Sequence, residues 1–228
     1  MITKQSIKKI VFDEGADLCG VASVDRFSGA PEGFNPKDIY DKTQSVLVFS
    51  KRLPVESLFA QSCVPYTHTN SLVTQIVDNL TFTLSIRFED LCIKNVPIHS
   101  DDPYEYFDTE RARGQGILSM RHAGYLAGLG VLVKNTLLIN EKYGNMIQIG
   151  ALLLDIPLES DELADYFECP AGCELCMDAC PVNALDGTTV NQKHCRPLSN
   201  YKTEKGYILK KCYECRKACP VFNGIRKI

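Results

Sequence analysis

Apolar residues recur along the first two thirds of the chain in two distinct periods, and a set of elements follows from them. Between Lys4 and Asp17, Ile7, Ile10 and Val11 fall at helical spacing and Gly15 stands near the end, which predicts an amphipathic helix. Cys19 to Val24 (CGVASV) and Ser45 to Ser50 (SVLVFS) are short, nearly all-apolar runs. They predict strands of a sheet covered on both faces. Ser28 to Asp38, with glycine and proline clustered around Ala30, reads as the loop between them.

From Leu72 onward, Val73, Ile76, Val77, Leu80, Leu84, Phe88 and Leu91 recur at three or four residues, so the longest helix is placed here with Asn70 as its cap. A short strand over Val96 to His99 follows. The next segment, Ser100 to Gly116 (SDDPYEYFDTERARGQG), is too rich in Asp, Arg and Gly for core and is read as a lid or pocket wall. Gly116 to Gly130 (GILSMRHAGYLAGLG) reads as a small-residue helix ending at a glycine. Thr136 to Ile139 and Met146 to Asp155, joined through a turn at Tyr143-Gly144-Asn145, predict a hairpin.

The 228 residues can bury a full core, as one large domain or one domain carrying a smaller one. The first residues alternate apolar and charged side chains without the apolar stretch of a signal peptide, and no run reaches membrane-spanning length. A cytoplasmic protein is expected. The net charge of −3 argues against nucleic acid as a partner. Charge is nonetheless uneven: six acidic residues and no basic one lie between Asp155 and Glu168, and eight Lys or Arg lie between Asn191 and Lys217. Such runs are usually solvated faces; the basic one also suits docking of an acidic electron donor, a ferredoxin or flavodoxin.

The strongest chemistry is in the cysteines. Eight of the eleven lie between Cys169 and Cys219. The first run is Cys169, Cys173, Cys176 and Cys180 followed by Pro181; the second is Cys195, then Cys212, Cys215 and Cys219 followed by Pro220. Three thiolates at short spacing with a fourth, before proline, crossing to the other cluster is the pattern of two [4Fe–4S] clusters. The expected sets are Cys169, Cys173, Cys176 and Cys219, and Cys212, Cys215, Cys195 and Cys180. Zinc needs fewer ligands per run, and a disulfide framework suits a short secreted chain. The first gap is one residue wider than usual, so Ala171-Gly172 must widen that loop.

Other residues are weighed against plainer roles. Cys19 and Cys92 are read as small buried hydrophobes, and Cys63, in a loop, as inert or reactive. His122 is a candidate metal ligand or proton donor, His68 with Tyr66 a candidate for the pocket rim, and Tyr104 and Tyr106 the other candidate proton donors. Gly128, Leu129, Gly130 and Asn135 are taken as cofactor-contacting positions, with Asn135 alternatively capping a turn.

GADLCGVAS (Gly15 to Ser23), SVLVFSKRLP (Ser45 to Pro54), AGLGVLVKNTLLI (Ala127 to Ile139) and the double cysteine pattern together resemble the iron–sulfur family of epoxyqueuosine reductase and the reductive dehalogenases. The resemblance implies an α/β, nitroreductase-like sandwich over residues 1–158 and a ferredoxin-like two-[4Fe–4S] module over 159–228. It implies cobalamin in the first domain, with flavin mononucleotide or no second cofactor as alternatives, and a small-molecule substrate. The family's catalytic aspartate falls at Gly114 and its neighbours, where there is no acid, and its glycine before Lys-Asn is Val133. Set beside the family, the sequence is expected to be a short form without the helical extension used towards tRNA. Two readings follow: an oxidoreductase passing single electrons through the clusters to a corrinoid or flavin, and a non-catalytic electron-transfer or reductive-activation protein.

Overall fold

A computed structural model describes residues 2–110 and 112–225. In chain order it contains α1 (Lys4–Asp13), β1 (Leu18–Ser23), α2 (Pro36–Ile39), β2 (Ser45–Arg52), α3 (Val64–Asp90), β3 (Asn95–Ile98), β4 (Tyr106–Asp108) and β5 (Arg113–Gln115). These are followed by α4 (Met120–Leu126), β6 (Val131–Leu132), β7 (Leu138–Ile139), β8 (Ile147–Leu154), α5 (Leu175–Asp178), α6 (Gln192–Ser199), β9 (Tyr201–Lys202), β10 (Ile208–Leu209) and α7 (Glu214–Lys217).

Four strands form the central sheet in the order β1-β2-β8-β3, every pair antiparallel. The two inner strands are apolar on both sides because both faces are covered. On one face Leu47, Phe49, Leu152 and Leu154 pack with Ile7 and Val11 of α1 and with Val77, Leu80, Leu84 and Phe88 of α3. On the other, Val46, Val48, Ala151 and Leu153 pack with Ala123 of α4 and with Ala127 and Leu129 just beyond it. Side chains alternate across a strand, so successive residues of SVLVFS feed opposite cores. The α/β class holds.

α1 starts where Thr3 and Ser6 satisfy each other's backbone N–H groups in a capping box. α3 begins six residues before Asn70, with Pro65 in its first turn; a proline there costs no hydrogen bond, so Asn70 lies inside the helix and is no cap. The helix expected over Gly116–Gly130 is only α4, seven residues long. The expected hairpin is also different. β7 pairs back onto β6, while β8 joins the sheet between β2 and β3. The reason is local: the Val133 N–H donates to the Leu137 carbonyl and Thr136 adopts φ +63°, closing a tight turn that returns the chain on itself.

The C-terminal region is built from α5, α6 and α7 and the β9–β10 ribbon. The ferredoxin-like, double-[4Fe–4S] module is not what the structure supports: among the described residues no group of three or more His, Cys, Asp or Glu is disposed to hold a metal ion. No helix among them is long and apolar enough to cross a membrane.

Candidate functional site

A cavity of about 750 Å³ lies against α4. Its walls come from five segments: the loop Arg26–Phe34, the β4–β5 hairpin through Arg113–Gly116, α4 and the residues just before it, Leu132 and Thr136 of β6 and the turn after it, and Thr189–Gln192 at the start of α6. The segment read as a lid or pocket wall therefore supplies one wall. Gln192 ties that wall to α6, since its side-chain amide accepts from the Gly114 N–H at 3.3 Å and donates to the Gly114 carbonyl at 3.4 Å. Tyr104 packs on Gly114, where a Cβ would meet its ring. Phe34 and Tyr106 meet as a tilted ring pair, centroids 5.0 Å apart and planes at 52°.

The cavity pairs an apolar floor, with Phe27, Phe34, Leu118, Tyr125 and Leu126, with a polar side carrying Arg26, Arg113, Arg121 and His122. Arg26 donates to the Leu126 carbonyl at 2.5 Å and to the Asp161 carbonyl at 2.7 Å. Arg121 donates to the Thr136 carbonyl at 3.0 Å. His122 shares a 2.7 Å hydrogen bond between Nδ1 and the Ser119 hydroxyl. Burial, with the Arg121 charge beside it, holds the His122 imidazole below its ordinary value. No Asp or Glu lines the cavity among the described residues, and Asp101, Asp102 and Asp108 lie outside its walls.

The predicted residues fall into place differently. Gly128 (φ +75°) and Gly130 are close-approach positions: a Cβ on Gly128 would run into the Glu162 carbonyl, and one on Gly130 into the Ile139 carbonyl. Leu129 is buried in the core beneath β1. Asn135, 3% exposed, donates from Nδ2 to the Cys215 carbonyl at 3.0 Å and accepts from the Leu137 N–H at 3.1 Å. Its neighbour Lys134 donates to the Cys173 carbonyl at 2.9 Å. The Lys134-Asn135 pair thus holds both cysteine runs against β6 and β7. None of these residues lines the large cavity. His68 is exposed on α3.

All eleven cysteines are free thiols. Cys169, Cys173, Cys176 and Cys219 line one small cavity, while Cys180, Cys195, Cys212 and Cys215 form a second electrostatic neighbourhood. Burial, then the charge of neighbouring thiols, raises Cys176, Cys212 and Cys219, although short backbone hydrogen bonds oppose it. Burial first, then Cys195, pushes Cys215 to about 11. The expectation of two [4Fe–4S] clusters, and with it the iron–sulfur, metal-binding and cobalamin description of the chain, is corrected by the structure. The described residues present no group of three or more that could hold a metal ion. The cavity among the first four thiols measures about 20 Å³, room for about one water. The residues therefore do not fit a cluster as placed, and no electron step is routed through one, or through a corrinoid or flavin.

Cys19 is partly buried against the core, and burial pushes its thiol up to about 12 despite the Lys8 charge nearby. Cys92, expected to be buried, is exposed just after α3. Arg113 and Gln192 were missed as site residues. The RARGQG segment, arginines in a loop with no apolar period, was the available signal.

Compared with known proteins, no family model matches the chain. It is 33% identical over 122 residues to the epoxyqueuosine reductase of Staphylococcus aureus, a match covering 48% of this chain and 31% of that protein. The solved epoxyqueuosine reductase of Streptococcus thermophilus superposes with a TM-score of 0.70 at 20% identity, covering all of this chain and 69% of the other. The chain is similar in sequence to epoxyqueuosine reductases over about half its length, and shares their fold. The catabolic reductive dehalogenase NpRdhA shares the fold with a TM-score of 0.69 at 16% identity, over 96% of this chain and 32% of that one. The match spans about a third of the length of the S. aureus relative. The expectation against nucleic acid is also corrected, because one epoxyqueuosine reductase of this fold was solved with an epoxyqueuosine-modified tRNA-Tyr stem loop. A net charge of −3 averages over the whole chain and hides the cationic cavity wall.

Proposed function

We propose that this protein is a reductase of the epoxyqueuosine reductase type, acting on an oxidised organic substrate that enters the cavity beside α4. The carrying observation is that cavity: about 750 Å³, apolar on one side and cationic on the other, in a chain related to reductases. Its size suits an organic ligand of moderate size. The reaction class is reductive removal of a leaving atom. For an epoxide both C–O bonds break, a C=C bond forms, two electrons and two protons are taken up and the oxygen leaves as water. For an aryl bromide the C–Br bond breaks, a C–H bond forms, two electrons and one proton are taken up and bromide leaves. A low-potential one-electron donor supplies the electrons. His122 is the proton donor of this reading, held by Ser119 at the cavity wall.

The eight cysteines, Cys169, Cys173, Cys176 and Cys219 with Cys180, Cys195, Cys212 and Cys215, are free thiols and carry no step of the proposal. The substrate test is reoxidation of reduced methyl viologen by the full chain, with an epoxyqueuosine-modified tRNA stem loop and, in parallel, 3-bromo-4-hydroxybenzoic acid. Substrate-dependent reoxidation with either supports the reductase reading. No reoxidation above the substrate-free rate with both overturns it.

A further inference from the structure

The cationic wall of the cavity has an electrostatic problem that a ligand would solve. Arg26, Arg113 and Arg121 all face the cavity, and no carboxylate lines it among the described residues. Arg26 is committed to the carbonyls of Leu126 and Asp161, and Arg121 to that of Thr136. Arg113, at the start of β5, makes no comparable bond; its only described electrostatic effect is to lower the Arg121 pKa, burial being the larger cause. Two like charges in a half-buried wall repel, and water screens them less there than at an open surface. A guanidinium also offers a fork of donors matched to the paired oxygens of phosphate and carboxylate. Gln192 fixes the hairpin that carries Arg113 to α6, so the two guanidiniums face the cavity from elements that are held together.

We propose that Arg113 and Arg121 form an oxyanion clamp that holds a phosphate or carboxylate group of the ligand in this cavity. The proposal rests on the reading of the cavity as the substrate site. The oxyanion could come from a nucleic-acid backbone or from a small organic acid, and the arms of the test separate the two.

The test is isothermal titration of the full chain with pyrophosphate, with benzoate and with an unmodified RNA stem loop. Wild type, Arg113→Gln, Arg113→Lys and the remote, exposed Lys205→Gln are compared. The Arg113 side chain makes no hydrogen bond among the described residues, and Arg113→Gln keeps the β5 backbone, so the variant should fold; thermal melts check this. Binding of at least one probe, weakened about tenfold or more by Arg113→Gln, partly restored by Arg113→Lys and unchanged by Lys205→Gln, supports the clamp. Restriction of that effect to the RNA assigns the phosphate to nucleic acid; its presence with pyrophosphate or benzoate assigns a small oxyanion. Equal binding by wild type and Arg113→Gln, or no binding of any probe up to about 1 mM, overturns it. Viologen reoxidation is scored separately: anion binding without turnover sinks the reductase reading and leaves the clamp. Turnover indifferent to Arg113→Gln retains the reductase and sinks the clamp.

Discussion

At the scale of single residues, Asp161 is the best-held charge in the chain. Its carboxylate meets Lys4 at 3.2 Å and Lys8 at 2.8 Å, and accepts from the Val21 N–H at 2.9 Å. Burial opposes its ionisation, but the Lys8 hydrogen bond and charge, with Val21 and Lys4, outweigh that and hold it below the usual carboxylate range. A depressed pKa contributes stability that is full above the unfolded value, near 3.8, and is lost as pH falls through the folded one. Asp161→Asn should therefore cost about 1–3 kcal/mol at pH 7, and the gap from wild type should close below about pH 4 in urea melts. The acidic run Asp155–Glu168 reads from sequence as a solvated face. One of its members, Asp161, is instead a half-buried anchor, which depends on lysines about 150 residues away. Thiol reactivity follows the same logic: iodoacetamide at pH 8 should label exposed Cys92 first and Cys19, at about 12, last, as timed by mass spectrometry.

At the scale of elements, the long-period patterns were legible and the short-range pairings were not. β1, β2 and α1 lie within a few residues of their apolar runs because both cores need those side chains. The apolar period starts α3 late, because its outer face carries Leu72, Ile76, Phe82 and Ile86, all exposed, which blurs the period, while Pro65 marks the true start. β7 was matched to β8 because nothing in Lys134–Leu137 announces a turn except Asn135. That asparagine also gives the element-scale prediction. Asn135→Ala removes the bond to the Cys215 carbonyl and leaves a buried turn N–H short of a partner, so it should lower stability by about 1–3 kcal/mol. Hydrogen exchange should quicken around α7 more than in β2 and β8; uniform quickening would mean that Asn135 serves the turn alone.

At the scale of the whole molecule, the site is legible only in three dimensions. The arginines come from the loop after β1, from β5 and from α4, and Gln192 from α6 lies 78 residues beyond Gly114. No motif spacing connects them. The cysteine runs were legible as two groups of four thiols, while their placement against β6 and β7 through Lys134 and Asn135 required the fold. The central claim is that reduction takes place in the cavity beside α4. Leu132, at the cavity edge and 36% exposed, can be enlarged to tryptophan without entering the main core. The decisive measurement is substrate-dependent viologen reoxidation by Leu132→Trp, with its thermal melt as control. The cavity account predicts a fall of about a hundredfold at an unchanged melting temperature. Turnover equal to wild type in a folded Leu132→Trp protein would place the reaction elsewhere and contradict it.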